Sequence, residues 1–152
     1  MKPAIFLRIV SVLMLIQAVL HTIGGVFGTP PPGAGAAAAA AMKANQFLLE
    51  GHTRSYWDFF LGFGLAITIS ITMEAIVIWQ LASLAKENAA KARPMVITFT
   101  LGYLLLGINA WRFFFSGPVI CEAIIVTLLI LAIAATKKRS AAAEPLALSR
   151  AS

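Results

Sequence analysis

The sequence predicts an all-α protein, a transmembrane four-helix bundle, and three observations carry that prediction. Of 152 residues, 60% are hydrophobic and only 12% are charged, against roughly 25% charged in a soluble domain. Four stretches approach or exceed the roughly 20 apolar residues that a bilayer core requires. Lys and Arg gather at one end of those stretches, as the orientation rule for membrane proteins expects. With a mean hydropathy of +0.88, a water-soluble enzyme, a nucleic-acid-binding module and a disordered chain are excluded as the main description.

The first span is read from Ala4 to Phe27 and contains Arg8, Gln17 and His21. A cleavable signal peptide is the alternative, since Met1-Lys2-Pro3 resembles an n-region and Ala34-Gly35-Ala36 a cleavage site. Against it, the apolar run is long and Arg8 sits inside it. Thr29-Pro30-Pro31-Pro32-Gly33 stops the helix and forms a stiff extended segment. The Ala36–Ala41 run has high helix propensity. It leads into a short outer interfacial helix expected over Met42–Leu49, with Met42, Phe47, Leu48 and Leu49 facing the membrane.

The second span is read from Tyr56 to Leu81 and contains Asp58, Glu74 and Gln80. Gly62, Ala66, Ser70 and Glu74 recur at steps of four, a small-residue stripe along which another helix is expected to pack. The third span, Met95 to Phe115, contains Asn109 and Arg112, with Thr98, Gly102 and Gly107 as its small residues. Ser116-Gly117-Pro118 is expected to form a tight turn, with Pro118 opening the fourth span. That span runs from Val119 to Ala135 and carries Cys121 and Glu122. Residues 1–139 thus form the membrane domain, and 140–152 are read as a disordered cytoplasmic tail.

Net charge is +6 with a pI near 10. No basic stripe with interleaved aromatics is present, so the charge is assigned to orientation and not to nucleic acid. Lys2, Arg8, Lys86, Lys91, Arg93, Lys137, Lys138, Arg139 and Arg150 fall on one side, and Lys43, Arg54 and Arg112 on the other. That bias puts both termini in the cytoplasm. Tyr56, Trp57, Phe59 and Phe60, with Trp111 and Phe113 to Phe115, then form an aromatic belt at the outer interface. A single cysteine excludes disulfide-exchange chemistry.

Ionisable groups inside a bilayer need a partner or a purpose. At about 1.5 Å per residue, His21, Asp58, Asn109, Arg112 and Glu122 fall at similar depths, with His52, Arg54 and Trp111 close by. These eight residues are the candidate pocket at the outer mouth of the bundle. Arg112 is a candidate partner for Glu122 or Asp58, and Arg8–Glu74 is a candidate structural ion pair near the inner end. His21 shares a helix face with Gln17 four residues earlier, and beside a carboxylate it has the chemistry of an acid/base. His21, His52, Asp58 and Glu122 are allowable metal-ligand types, but no HxxxH or ExxH spacing supports a metal. No cofactor, Walker loop, nucleophile elbow or haem-attachment motif is expected.

Four spans with both ends inside, a long first outer loop and a His near the outer end of the first helix resemble the DoxX-like small bacterial membrane proteins. The matching segments are His21-Thr22-Ile23-Gly24-Gly25 and His52-Thr53-Arg54-Ser55-Tyr56-Trp57-Asp58-Phe59-Phe60-Leu61-Gly62-Phe63-Gly64. The resemblance implies a fold and no assigned chemistry. His21, Asn109, Trp111 and Glu122 also match the residue types, without the spacing, of sterol-isomerase-like membrane enzymes. The absence of a catalytic motif points first to a binding or accessory protein holding a lipid, quinone or other hydrophobic ligand, or a membrane partner. An intramembrane enzyme on a lipid-soluble substrate and a small proton-coupled transporter acting as a homo-oligomer are the alternatives.

Overall fold

A computed structural model describes the backbone of residues 2–151 and the side chains of residues 2–136. Five α-helices, one π-helical turn and one hairpin occur in the order α1 Pro3–Leu20, π-turn His21–Val26, α2 Ala34–Ala44, β1 Gln46–Leu49, β2 His52–Ser55, α3 Tyr56–Glu87, α4 Ala89–Phe113 and α5 Ser116–Ala151. Four segments, Pro3–Val26, Tyr56–Glu87, Ala89–Phe113 and Ser116–Thr136, are helical, long and apolar enough to cross a membrane. The chain divides into two units, residues 1–14 with 74–152, and residues 15–73.

The first unit is built of helices, each burying one face and leaving other large apolar side chains exposed. On α5, Glu122, Ile125, Leu129, Ala132 and Thr136 are buried at alternating steps of three and four, the spacing of a helix seam. On α4, Ala89, Ala92, Val96, Tyr103 and Ala110 are buried, and α4 packs along α5. Ala75, Ile78, Leu81, Ala82 and Ala85 of α3 and Leu7, Val10, Ser11 and Met14 of α1 complete this core. The Ser11 hydroxyl donates to the Ala75 carbonyl at 2.7 Å, tying α1 to α3. Leu101, Leu104, Leu105, Ile124, Ile130 and Leu131 are exposed. Large apolar side chains on the exterior as well as in the core are unlike a soluble bundle and suit lipid.

Helix ends differ from the sequence reading in three places. The α3–α4 junction is short because Asn88 caps α4, its side-chain oxygen accepting from the Lys91 amide at 3.0 Å. The helix therefore starts before Pro94, which sits inside it. The tight turn before α5 falls on Phe114-Phe115 and not on Ser116-Gly117-Pro118; Pro118 lies in the first turn of α5, where a missing N–H costs nothing. The tail expected to be disordered over 140–152 has its side chains outside the described residues, while the α5 backbone is helical to Ala151.

In the second unit the expected helix over Met42–Leu49 is replaced by a different arrangement. The alanine run itself forms α2, ending at Ala44. Asn45 stops it by donating from its side chain to the Ala41 carbonyl at 2.7 Å. Phe47 to Leu49 then lie in β1, antiparallel to β2 with Phe47 opposite Arg54 and Leu49 opposite His52. The two-residue turn Glu50-Gly51 has positive φ at both positions, 49° and 82°, as a turn matched to strand twist requires. Phe47 holds the hairpin to the start of α3, its ring centroid 5.1 Å from that of Tyr56 and 5.9 Å from that of Phe59.

The small-residue face of α3 is shifted from the expected one. Gly62, Ala66 and Ser70 are exposed, and nothing lies within 4 Å of where a Gly62 side chain would start. Gly64 is the glycine that permits close approach: a Cβ there would stand 2.8 Å from Val26 Cγ2. The inward face runs through Gly64, Thr68 and Thr72, with the threonine hydroxyls returned to the helix's own carbonyls at Gly64 and Thr68.

Candidate functional site

The first span loses its α pitch at His21. The Thr22 hydroxyl donates to the Ala18 carbonyl at 2.7 Å and also meets the Thr68 hydroxyl at 3.0 Å. Gly24 and Gly25, two residues on, offer no side chain to brace the helix. The ladder widens to five-residue steps, closing with the Phe27 amide donating to the Thr22 carbonyl at 3.0 Å. Such single π-turns recur at functional positions.

The π-turn carries a half-buried imidazole whose two nitrogens are not equivalent. His21 Nε2 lies 3.1 Å from the Gly64 carbonyl oxygen. A carbonyl only accepts, so Nε2 carries the hydrogen and, in the neutral ring, Nδ1 presents a lone pair. Among the described residues no group hydrogen-bonds Nδ1. A Cβ on Gly25 would stand 3.2 Å from Nδ1, so glycine at 25 keeps that edge of the ring uncovered. The result is an anchored hydrogen-bond acceptor in a predominantly apolar span.

The eight residues expected to share one pocket divide between the two units, four in each. In the 15–73 unit, His21 alone among the four is drawn inward; His52, Arg54 and Asp58 are exposed. Arg54 donates to the Thr53 carbonyl at 2.9 Å. Asp58 is committed to helix capping. Its carboxylate accepts from the Ser55 amide at 2.7 Å and the Ser55 hydroxyl at 2.8 Å, while its own amide donates to that hydroxyl at 3.2 Å. This reciprocal box starts α3. The pattern Ser55-x-x-Asp58 before an apolar run was a readable signal for it.

In the other unit, Asn109, Trp111 and Arg112 are exposed, Trp111 to 76%, and Glu122 is only 7% exposed. The Arg112 guanidinium lies 5.6 Å from the centroid of the Phe113 ring. Gly107 faces Glu122, and a Cβ there would stand 3.4 Å from Glu122 Cβ. Arg8 and Glu74, expected to pair, each have another partner. The Tyr103 hydroxyl donates to Glu74 Oε2 at 2.7 Å. The Arg8 guanidinium sits 5.1 Å from the Trp79 ring centroid, with its Nε buried and without an acceptor. The quadrupole of an indole face takes a cation without a carboxylate. Tyr103 was not singled out from the sequence, although a phenol in an apolar span needs a partner for its hydroxyl.

Two further features sit at the mouth of the 15–73 unit. A groove of about 300 Å³ opens between the end of the π-turn and the start of α3. At its edge Lys43 Nζ lies 4.4 Å from the Trp57 ring centroid. Among the described residues no three His, Cys, Asp or Glu side chains converge in a way that could hold a metal. Compared with protein-family models, curated proteins and solved structures, the chain finds no match.

Proposed function

We propose that the chain is a multi-pass protein of the bacterial inner membrane, with both termini cytoplasmic, that acts as a binding or accessory protein for a hydrophobic ligand. We place the ligand at the outer side of the first span and expect an architecture of the DoxX-like kind. The observation that carries this reading is His21: its Nε2 is fixed by the Gly64 carbonyl, and Nδ1 is left as an acceptor beside Gly25. An unspent acceptor in a predominantly apolar span suits a hydroxyl-bearing lipid or the reduced form of a quinone, each of which has a hydroxyl to donate from an apolar body. The apolar exterior of the four helices and the Lys/Arg bias support the placement.

The test is native mass spectrometry of the full chain extracted from its host into nanodiscs. A reproducible bound small molecule in the parent, absent from His21→Ala, supports the reading. Retention of that molecule by His21→Ala overturns it. A co-purifying protein with no small molecule selects the accessory role instead.

One observation favours a second reading, a small proton-coupled transporter. Glu74 and Tyr103 form a carboxyl–phenol pair within two apolar helices. Because α3 continues to Glu87, Glu74 lies deeper than a span ending at Leu81 implies: eighteen residues from Tyr56 and thirteen from Glu87. Loss of gradient-driven efflux in Glu74→Gln, with the small molecule of the first test still bound, selects this reading.

A further inference from the structure

The groove in the 15–73 unit combines an apolar wall, a polar edge and an exposed cation. Val26, Phe27 and Leu61 give it an apolar wall, and Thr29, Lys43 and Trp57 give it a polar edge. Its volume, about 300 Å³, is at the small end of ligand sites. Lys43 is exposed and holds its ammonium 4.4 Å from the Trp57 ring centroid. An indole face orients an ammonium without neutralising it, so its N–H groups stay free for an anion.

Among the described residues neither acid of the same unit forms an ion pair with it. Asp58 directs its carboxylate to the Ser55 amide and hydroxyl. Glu50 is exposed in the hairpin turn and makes no ion pair with Lys43. A positive charge beside an apolar wall is complementary to an anionic amphiphile. Trp57 is the second residue of α3, the end of a span where tryptophan sits at headgroup level.

We propose that this groove binds the phosphate-bearing headgroup of an anionic lipid, with Lys43 as the cation, Trp57 as its platform and Phe27 and Leu61 against the glycerol and first acyl carbons. Phosphate chemistry alone would also admit free inorganic phosphate; the apolar wall assigns the occupant as lipid. The inference rests on the membrane placement proposed above, and is independent of the ligand at His21.

The chain has three tryptophans, so Trp79→Phe with Trp111→Phe leaves Trp57 as the sole indole, read by excitation at wavelengths that tyrosine does not absorb. The full chain is reconstituted into vesicles of brominated phosphatidylglycerol or brominated phosphatidylcholine, whose bromines quench nearby indoles. Both lipids are expected to quench, with the anionic one favoured about fivefold, the scale of one basic side chain at a membrane surface. The preference should fall to about one in Lys43→Gln and persist in Lys43→Arg. Equal quenching by the two lipids, or a preference that survives Lys43→Gln, overturns the headgroup assignment while leaving the membrane placement standing. Loss of the preference on adding millimolar inorganic phosphate overturns the lipid as occupant. No quenching by either lipid overturns the membrane placement and this site with it. If Trp79→Phe costs the fold by releasing Arg8, native mass spectrometry of the parent and Lys43→Gln in mixed vesicles reads the same preference.

Discussion

The Tyr103 hydroxyl of α4 donates to the Glu74 carboxyl of α3 at 2.7 Å. This one bond satisfies two polar groups in predominantly apolar helices, and it ties the consecutive helices α3 and α4 together away from their short junction. Interhelical hydrogen bonds of this kind contribute about 0.6–2 kcal/mol in membrane proteins. Tyr103→Phe should therefore lower the midpoint of denaturant unfolding in mixed micelles by an amount in that range. Glu74→Gln keeps an oxygen in place to accept from the phenol, and should cost less than Tyr103→Phe. Equal midpoints for Tyr103→Phe and the parent would show that the pair contributes nothing to stability.

Close approach at Gly64 makes a sharper prediction, because it separates two glycines two residues apart on one helix. A side chain at 64 would start 2.8 Å from Val26 Cγ2, whereas one at 62 meets nothing within 4 Å. Gly64→Ala should destabilise by about 1–3 kcal/mol, the cost of overpacking. Gly62→Ala should be neutral or slightly stabilising, since alanine is the better helix former. Adding Val26→Ala to Gly64→Ala should recover part of the loss. Thermal unfolding of the parent and the three variants in detergent checks all three statements, and equal losses at 62 and 64 would refute the shifted face.

Ser55 and Asp58 cap α3 reciprocally. Ser55→Ala removes the hydroxyl that accepts the Asp58 amide and should cost about 1 kcal/mol. The effect is local, so amide exchange should accelerate over the first turn of α3 and remain slow near Ala75. Asp58→Ala should do the same while leaving any bound small molecule in place. A lost ligand in Asp58→Ala would return Asp58 to a binding role.

The spans were legible because hydropathy is a sum over many residues and survives local error. The finer features depend on single residues. Length and hydropathy located all four apolar helices, but not the start of α4, where the Asn88 side chain captures the Lys91 amide. An alanine run with Phe-Leu-Leu after it reads as a continuous helix; the hairpin emerges only because Gly51 accepts positive φ and Phe47 finds aromatic partners on α3. Steps of four on α3 fit both the Gly62 and the Gly64 register, and only the facing Val26 distinguishes them. Matching depths along helices suggested Arg8 for Glu74. Depth says nothing of azimuth, and Tyr103 and Trp79 took those two groups.

His21 offers a prediction about a single hydrogen atom. The Gly64 carbonyl 3.1 Å from Nε2 can only accept, so the neutral ring should be held as the Nε2–H tautomer. The chain contains one other histidine, His52, which is exposed in β2 and serves as an internal reference. Nitrogen-15 spectra of histidine-labelled protein distinguish a protonated from a bare ring nitrogen directly. His21 should show a protonated Nε2 in slow exchange with water and a bare Nδ1, while His52 averages between tautomers. Thr22→Val removes the hydroxyl bonds to Ala18 and Thr68 that accompany the π-turn. If those bonds position the imidazole, His21 in that variant should drift toward the averaged spectrum of His52. A protonated Nδ1 in the parent would contradict the bond to Gly64 and remove the acceptor on which the binding role depends.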